Sequence, residues 1–347
     1  MSDARPRIAV DANPAVREVT TGTEVYTREL CRRLGTVAPD FDWTFFAGRP
    51  STGVGFDVTV APFRRLWSQV RLPIAVTAAH ADLLFVPAHS IPLAWRGRVL
   101  TVVHDLAFER YPDAYPATER LFLQATTRLA VRRCPLLIAV SEATKADLVE
   151  RYSVAPERVR VVPNGGGEAP APAAPAQKTG FEPYVLQVGR IERRKNQVAS
   201  LAAVERLDGV RLVVAGPERD ADLAAGLRAS PRCVVLGRVG RPTLEQLYAC
   251  ASAVVVPSLY EGFGFPVLEA LARGKPVVAA RNSSLPEIGG DAVSYVDDPS
   301  DAEALAAALR TAMDDRSAAT KGPQRARQFT WDRCANGVVA VIREALA

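Results

Sequence analysis

The stretch PSLYEGFGFPVLEALARGKPVV, residues 257–278, predicts a strand end, a glycine loop and a helix in succession. The apolar run that leads into it, residues 253–257, is short and rich in valine, as expected of a parallel strand buried on both faces. Pro266 suits the first turn of a helix, where its missing N–H is not needed. Because helix starts present N–H groups and a positive dipole end, the stretch predicts a seat for phosphate or another anion.

Two acidic residues flank this glycine loop. Glu261 is predicted to lie in the loop, and Glu269 about one turn into the following helix. Carboxylates would repel a phosphate in the same place, but they accept hydrogen bonds from hydroxyl groups. The pattern therefore predicts a site that takes an anion and hydroxyl groups side by side.

Short apolar runs alternate with helix-length segments along the whole chain. The runs are residues 7–12, 42–48, 82–88, 98–105, 135–141 and 159–164, followed by 184–189, 210–216, 233–237, 253–258 and 276–280. Such alternation predicts an α/β protein whose parallel sheets are covered by helices on both faces.

The segment GGGEAPAPAAPAQKTG, residues 165–180, has no apolar period and separates the two sets of runs. Its composition is typical of a linker, and its three leading glycines are expected to loosen the connection. A chain of 347 residues is also long for one core. We therefore predict two doubly wound domains, residues 1–168 and 181–330, joined by a linker at 169–180 and facing a central cleft.

Further candidate residues follow other predicted strands. Arg190 and Lys195 share the loop after 184–189, where two cations could clamp a diphosphate, although arginine-rich loops are more often simply solvated. His104 ends the run 98–105; a lone histidine is more often structural than catalytic. Gly22 precedes a predicted helix and could meet a phosphate or sugar, but a threonine cap explains the same pattern.

The cysteines and the acidic pairs give no sign of a metal site. Five scattered cysteines without a C-x-x-C spacing indicate neither a disulfide framework nor zinc, so we expect reduced thiols. The D-x-D strings at 40–42 and 220–222 lie in polar loop or helix-start contexts, where surface aspartates are common. We expect them to be structural.

Net charge and hydropathy limit the classes of partner that the chain is expected to bind. The net charge is +5, and residues 1–165 hold most of it, with 21 basic and 17 acidic side chains. The excess is too small for nucleic acid and favours an anionic substrate or a membrane surface. No run of eighteen apolar residues occurs, so we expect a cytoplasmic protein. The segment FRRLWSQVRLPIAV, residues 63–76, could dock weakly on anionic lipid at the inner membrane face, or pack its apolar side in the core.

The chain resembles the retaining glycosyltransferases of glycosyltransferase family 4, which have the GT-B fold, and in particular their mannosyltransferase-like members. The matching blocks follow the family's order from about Trp67 onward, and the blocks of the second half are the more specific. They are VVHDLAFERYP, VSEATKADLVERYSVAPERVRVVPNG, VGRIERRKN, CVVLGRVGRPTLEQLYACAS and PSLYEGFGFPVLEALARGKPVVAA, the last with its E-x7-E pair.

The resemblance explains the paired acids. It implies that Glu261 holds hydroxyls of a donor sugar and that Glu269 holds the ribose hydroxyls of the nucleotide. It also implies that the backbone amides of Gly262, Phe263 and Gly264 face the sugar and diphosphate between them.

The same resemblance implies roles for residues after two other strands of the second domain. Arg190 and Lys195, in the loop that Gly189 opens, would bind the donor diphosphate and stabilise it as a leaving group. The backbone around Arg238 and Val239 would line the nucleobase pocket.

In the first domain the match is looser. His104 would touch the transferred sugar near the reacting carbon, and Gly22 would contact phosphate or acceptor. Family members often have a second glycine where this chain has TTGTE, which weakens the assignment of Gly22. The resemblance implies that residues 1–168 bind the acceptor, that 181–330 bind the nucleotide sugar, and that a helix at 331–347 packs back on the first domain.

We therefore expect a retaining hexosyltransferase that takes GDP-mannose ahead of UDP-glucose, needs no metal or other cofactor, and acts on a glycan, lipid-linked or small-molecule hydroxyl. Glu261 would not be a nucleophile. A nucleotide-sugar epimerase and a catalytically silent binding protein of the same fold are the alternatives. A dehydrogenase is disfavoured because no G-x-G-x-x-G follows the first strand.

Overall fold

The computed structural model describes residues 5–17, 21–51, 53–62, 67–168 and 179–347, which form two compact units. Unit 1 contains Met1–Gly165 and Trp331–Ala347, and unit 2 contains Gly166–Thr330. Most of the linker predicted at 169–180 lies outside the described residues.

Each unit is built on one parallel sheet. The strands of unit 1 are β1 Arg7–Asp11, β2 Asp42–Ala47, β3 Thr59–Val60, β4 Leu83–Val86, β5 Val99–Val103, β6 Leu137–Ala139 and β7 Val159–Val161. Those of unit 2 are β8 Tyr184–Val188, β9 Arg211–Ala215, β10 Cys233–Gly237, β11 Ala253–Val256, β12 Val277–Ala280 and β13 Ser294–Val296.

Both sheets are doubly wound. The first has the order β3-β2-β1-β4-β5-β6-β7 and the second β10-β9-β8-β11-β12-β13, with every neighbouring pair parallel. The strand order reverses between β1 and β4 in unit 1 and between β8 and β11 in unit 2. In such sheets ligands bind outside the carboxyl ends of the strands at the reversal, so each unit has one preferred place for a site.

The helices cover the sheets. They are α1 Gly22–Val37, α2 Leu72–Ala78, α3 Ala107–Arg110, α4 Ala117–Arg133, α5 Glu142–Tyr152, α6 Gln197–Val204, α7 Ala221–Ala229, α8 Arg241–Cys250, α9 Phe265–Ala272, α10 Leu285–Gly289, α11 Ala302–Asp314, α12 Ala318–Ala326 and α13 Trp331–Leu346. All residues of β5 and β11 are buried, as expected of central parallel strands. Within the described residues, no helix is long and apolar enough to cross a membrane.

The last helix belongs to unit 1. Helix α13 lies along α1, where the rings of Tyr26 and Trp331 are 6.1 Å apart and the Arg33 guanidinium binds Asp332 at 2.8 Å. Trp331 is also the residue against which Gly165 packs, since a Cβ on that glycine would come within 2.4 Å of the Trp331 nitrogen.

The expectation that the three glycines loosen the chain is wrong for the described residues. A Cβ at Gly167 would lie 1.9 Å from the carbonyl oxygen of Ala326, and the Gly167 N–H donates to the carbonyl of Phe329 at 2.8 Å. The lack of side chains permits this close packing, and the contacts hold the chain in place at these glycines.

The structure adds two strands to those predicted and shows how part of the segment 63–76 packs. Strands β3 and β13 were not predicted, because both are short and carry exposed polar residues. In the segment 63–76, Trp67 and Leu72 are buried in the core and the Trp67 indole donates to the carbonyl of Ala61 at 2.6 Å. Residues 63–66, with two of its arginines, lie outside the described residues.

Candidate active site

The strongest cluster of charged side chains lies where the strand order of unit 2 reverses. Strand β8 leads into the loop that contains Arg194 and Lys195, and β11 leads into the loop that contains Glu261. The backbone N–H of Leu259 donates to the carbonyl of Arg194 at 2.9 Å, which ties the two loops together. The predicted helix start and glycine loop are therefore both next to the cations of VGRIERRKN.

Glu261 is buried and has partners for both carboxylate oxygens. Its Oε1 accepts from the Lys195 ammonium and from the Ser258 hydroxyl, the latter at 2.8 Å. Its Oε2 lies 3.4 Å from an Arg194 nitrogen. The structure thus brings Glu261 and Lys195 into direct contact, whereas the resemblance had implied separate jobs for them.

The pKa values of this pair follow from burial and charge. Burial raises the pKa of Glu261, but the charges of Lys195 and Arg194, with hydrogen bonds from Lys195 and Ser258, outweigh it and lower the pKa below its usual range. Burial lowers the pKa of Lys195, and the nearby Arg194 adds to that effect, while Glu261 opposes it. The carboxylate is held ionised by two cations.

Arg194 is a site residue that sequence reasoning missed. Its side chain is only 11% exposed, and it donates to the carbonyl of Tyr260 at 2.6 Å and to the Glu192 carboxylate at 2.7 Å. In the run ERRK it was indistinguishable from a solvated arginine. The available signal was the mixture of acidic and basic residues in RIERRK, residues 190–195, directly after a buried strand.

Two serines that follow β12 hold the backbone of the Glu261 loop. The Ser284 hydroxyl, which is buried, lies 2.9 Å from the carbonyl of Glu261 and 2.8 Å from that of Phe263. The backbone N–H of Glu261 donates to the Ser283 hydroxyl at 3.0 Å. Sequence analysis did not find these residues, because they come from a third strand end.

The glycine loop itself is shaped by packing. Gly264 has a φ of 106°, and a Cβ there would lie 2.9 Å from a Leu285 methyl group, so only glycine fits before α9. The Phe263 ring is buried 5.3 Å from that of Phe265 and 6.0 Å from that of Phe329. Phe263 can therefore offer a ligand its backbone but not its side chain; Gly262 lies between it and Glu261.

Glu269, the second predicted acid, lies in the second turn of α9 and is half-buried. The Tyr248 hydroxyl donates to it at 2.8 Å, and an Arg241 nitrogen lies 3.8 Å away. Burial raises its pKa, against the hydrogen bond from Tyr248 and the charge of Arg273. Tyr248 is a second residue that sequence analysis missed.

Gly189 and Arg190 complete the loop after β8. Gly189 has a φ of 147°, and a Cβ there would lie 3.6 Å from Cε of Lys195, whose side chain runs over the glycine. The carbonyl of Arg190 accepts from the Gln197 side chain at 2.7 Å. Among the described residues, the Arg190 guanidinium has no hydrogen-bond or ion-pair partner, so it is available to an anion.

Arg238 and Val239, predicted to line a nucleobase pocket, follow β10 at the edge of the sheet. Strands β9 and β8 separate β10 from β11, so these two residues stand apart from Glu261. A Cβ at the preceding Gly237 would lie 3.9 Å from the Glu218 carboxylate.

In unit 1, His104 follows β5 as predicted and is half-buried. Its Nε2 lies 2.7 Å from the carbonyl of Pro87, and its ring meets that of Tyr26 edge-on at 4.8 Å. Burial lowers its pKa, although the Pro87 carbonyl and Asp105 oppose the shift. The neutral imidazole therefore donates through Nε2 and leaves Nδ1 as an acceptor.

A second histidine, His89, follows β4 and was not singled out from the sequence. It is buried, and its Nε2 lies 2.7 Å from the Thr127 hydroxyl. Burial lowers its pKa to about 4. Its position after a predicted strand was the one signal that could have found it.

Gly22 is the first residue of α1. The Glu24 carboxylate accepts from the Thr21 backbone N–H at 2.8 Å and lies 3.3 Å from an Arg17 nitrogen. This is the capping arrangement that sequence analysis offered as the simpler explanation.

The two acidic strings have structural roles. The Asp220 carboxylate accepts from the Leu223 N–H at 3.0 Å and caps α7, and Asp40 binds Arg343 at 2.9 Å. In the part of the chain that the structure describes, no cluster of acidic, histidine or cysteine side chains could hold a metal ion.

Comparison with family models places both units in known families. Residues 174–329 match the model described as Glycosyl transferases group 1, and residues 20–165 match that described as Glycosyltransferase Family 4. Together these regions cover most of the chain.

Individual relatives and solved structures agree. O-antigen chain mannosyltransferase B of Escherichia coli is 28% identical over 260 residues, which are 68% of each chain. A glycogen synthase of Mycobacterium tuberculosis is 27% identical over 346 residues, covering 95% of this chain and 82% of its own.

Two crystal structures match the fold. Sucrose-phosphate synthase from Thermosynechococcus elongatus has a TM-score of 0.77 at 23% identity, over 98% of this chain and 99% of its own. HepE from Anabaena, in complex with UDP and glucose, has a TM-score of 0.76 at 19% identity, over 98% and 100%. With both units matched, this chain belongs to glycosyltransferase family 4 and has the GT-B fold.

Proposed function

We propose that the protein is a retaining hexosyltransferase that moves a sugar, preferably mannose from GDP-mannose, from a nucleoside diphosphate to a hydroxyl group. The observation that carries this proposal is the buried contact between Glu261 and Lys195, with Arg190 on the same loop as the lysine. A carboxylate for sugar hydroxyls and cations for a diphosphate then stand side by side at the reversal point of one sheet.

The chemistry needs these residue types. Glycosyl transfer builds positive charge at the anomeric carbon while negative charge grows on the departing diphosphate. Lys195 and the unengaged Arg190 guanidinium would stabilise that charge, the lysine as a point charge and the arginine through its fork. Since protein cations supply this charge, we propose that no metal is required.

We propose a displacement on one face of the sugar. The bond from the acceptor oxygen to the anomeric carbon forms, the bond from that carbon to the diphosphate breaks, and the acceptor proton passes to an oxygen of the leaving diphosphate. Glu261 is not the nucleophile in this scheme, because the acceptor oxygen attacks the anomeric carbon directly. It would accept from donor-sugar hydroxyls instead.

The remaining roles implied by the family resemblance belong to the same proposal. Glu269, oriented by Tyr248, would hold the ribose hydroxyls, and Gly189 would let the loop approach the diphosphate. His104 would touch the transferred sugar, and Gly22 would contact phosphate or acceptor.

In the glycine loop, the backbone of Gly262, Phe263 and Gly264 would face the sugar and the diphosphate. Arg238 and Val239 would line the nucleobase pocket through their backbone.

Two donors remain in competition. The Escherichia coli relative is an O-antigen chain mannosyltransferase, which supports mannose. The Anabaena structure holds UDP and glucose, which keeps UDP-glucose as the second donor. The acceptor would be a hydroxyl of a glycan, a lipid-linked sugar or a small molecule, reached in the cytoplasm or at the inner face of the membrane.

The first test is a thermal-shift screen of the purified protein against GDP, UDP, ADP and their hexose derivatives. A ligand that binds the native state raises its apparent stability, so we expect the largest shifts with GDP and GDP-mannose. Transfer to an added acceptor in the presence of EDTA would establish a metal-independent transferase, and the anomeric configuration of the product, read by NMR, would establish retention.

The alternatives give different outcomes. An epimerase would convert the donor sugar without any acceptor, and a silent binding protein would bind nucleotides without turnover. A folded protein that shifts with no nucleotide or nucleotide sugar would contradict the proposal.

A further inference from the structure

Four side chains, two acidic and two basic in type, are packed together at the proposed donor site. Glu192, Arg194, Lys195 and Glu261 each have side chains no more than 13% exposed. Two are acidic and two are basic, so the cluster is balanced only while Lys195 remains paired with Glu261. Isolated buried charges are costly, and this balance decides what happens when one partner is drawn away.

A bound diphosphate would compete with Glu261 for Lys195. If the ammonium turns towards the ligand, Glu261 keeps the Ser258 hydroxyl on Oε1 and Arg194 near Oε2. Arg194 cannot follow the lysine, because its guanidinium is also bound to the Tyr260 carbonyl and to Glu192. Of the two cations that contact Glu261 among the described residues, Arg194 therefore has the additional anchors, Tyr260 and Glu192.

The shape of the arginine suits this task. One terminal nitrogen of Arg194 reaches the carbonyl of Tyr260 and approaches Glu261, and the other reaches Glu192. A planar guanidinium can serve three acceptors in fixed directions, whereas a lysine ammonium is a single flexible point charge. Its contact with Tyr260 fixes the residue next to Glu261 as well as the carboxylate.

We propose that Arg194 is a positioning residue that keeps Glu261 paired and oriented towards the donor sugar while Lys195 serves the diphosphate. The proposal rests on the proposed function, since it assigns the two ligand groups as that function does. It separates two residues that look equivalent in the sequence ERRKN: Lys195 acts on the donor itself, and Arg194 acts through Glu261.

The test compares a nucleoside diphosphate with its sugar derivative. Affinities for GDP and GDP-mannose, with UDP and UDP-glucose in parallel, would be measured by calorimetry for wild type, Arg194→Met and Arg194→Lys. Arg193→Met is the matched control, because the neighbouring Arg193 side chain is 90% exposed. Circular dichroism and melting temperature would confirm that each variant is folded.

We expect the sugar-dependent gain in affinity to fall about tenfold in Arg194→Met, the size of an ordinary coupling between contacting residues. Affinity for the diphosphate alone should stay within about twofold, as should both affinities in Arg193→Met. Arg194→Lys should lose an intermediate share, since it keeps the charge but not the fork. That variant also tests the proposal if Arg194→Met does not fold.

Results that contradict the role of Arg194 can be distinguished from those that contradict the proposed function. Equal losses for GDP and GDP-mannose would mean that Arg194 only supports the loop, and an unchanged sugar-dependent gain would mean that it does not act through Glu261. Either result overturns the role of Arg194 and leaves the proposed function standing. If the folded wild-type protein binds none of the four ligands and also shows no thermal shift with ADP or its hexose derivatives, the proposed function fails and this inference fails with it.

Discussion

Titratable side chains that follow β8 and β11 in unit 2 differ in their ionisation from those that follow β4 and β5 in unit 1. In unit 2, Glu261 and Lys195 face each other as buried ions, and further charges surround them. In unit 1, the loops after β4 and β5 hold His89 and His104, whose pKa values burial lowers and whose ring nitrogens meet a hydroxyl or a carbonyl. The Glu261 carboxylate is held ionised, whereas the two histidines are held neutral.

The difference agrees with the roles proposed for these residues. A group that must stabilise a departing diphosphate has to remain charged, so its unit supplies counter-ions that keep it so in a buried place. A group that only has to contact a neutral sugar is better left uncharged, because a neutral imidazole can both donate and accept. The predictions below test this contrast, beginning with the largest effect.

Replacing Lys195 with alanine should remove the cation of the charged Lys195–Glu261 pair. We expect transfer, as kcat/KM, to fall by about 10²–10³, the usual cost of removing one group that stabilises developing negative charge. The control is Lys321→Ala, an exposed lysine of the same unit, which should stay within about twofold. Turnover at the wild-type rate in Lys195→Ala would refute the diphosphate role.

Lowering the pH should destabilise unit 1, which contains the two neutral histidines. The pKa of His89 is about 4 in the folded state against 6.5 unfolded, so the unfolded chain binds more protons, and stability is present above pH 6.5 and lost as the pH falls. Between pH 7 and pH 5 this amounts to about 2 kcal/mol for His89. Asp105 and His104 are the charged or titratable groups that influence it, and Thr127 and Phe108 contact it.

The measurement is urea unfolding followed by tryptophan fluorescence at both pH values. All four tryptophans, Trp43, Trp67, Trp95 and Trp331, belong to unit 1, so the signal reports that unit. His89→Gln should reduce the loss of stability between the two pH values, while the exposed His80→Gln should not. An unchanged pH dependence in His89→Gln would contradict the assignment.

The smallest effect concerns Glu269. If it binds ribose hydroxyls, Glu269→Ala should raise the donor KM about tenfold, in the range of one lost charged hydrogen bond. Comparison of GDP with 2′-deoxy-GDP sharpens the test, because the wild-type preference for GDP should disappear in the variant. Glu303→Ala, an exposed carboxylate of α11, is the control. A preference for GDP that survives in Glu269→Ala would reject the ribose role.

The fold could be predicted in large part from the sequence because its signals are local. Runs such as 184–189 and 253–258 contain buried parallel strands, and Pro266 lies in the first turn of a helix, as its fixed φ allows. The short strands β3 and β13 were missed, since two or three partly exposed residues leave no apolar run. Gly165 and Gly167 were misread, because they pack closely against residues far along the chain, Trp331 and Ala326.

The site was less accessible from the sequence. Glu261, Lys195 and Arg190 could be found because each follows a recognisable strand within a specific motif. Arg194 and Tyr248 could not, since a buried arginine and a solvated one have the same letter, and only the folded chain shows what they contact. The direct Glu261–Lys195 pair likewise depends on two loops being adjacent in space.

The serines after β12 have a consequence for how such a site can change over evolutionary time. Ser283 and Ser284 grip the main chain of the Glu261 loop rather than its side chains. Substitutions in residues 257–263 can therefore alter what the loop recognises while its path is preserved. We expect variants with new sugar preferences to arise within the loop, and substitutions at the two serines to destroy the site without redirecting it.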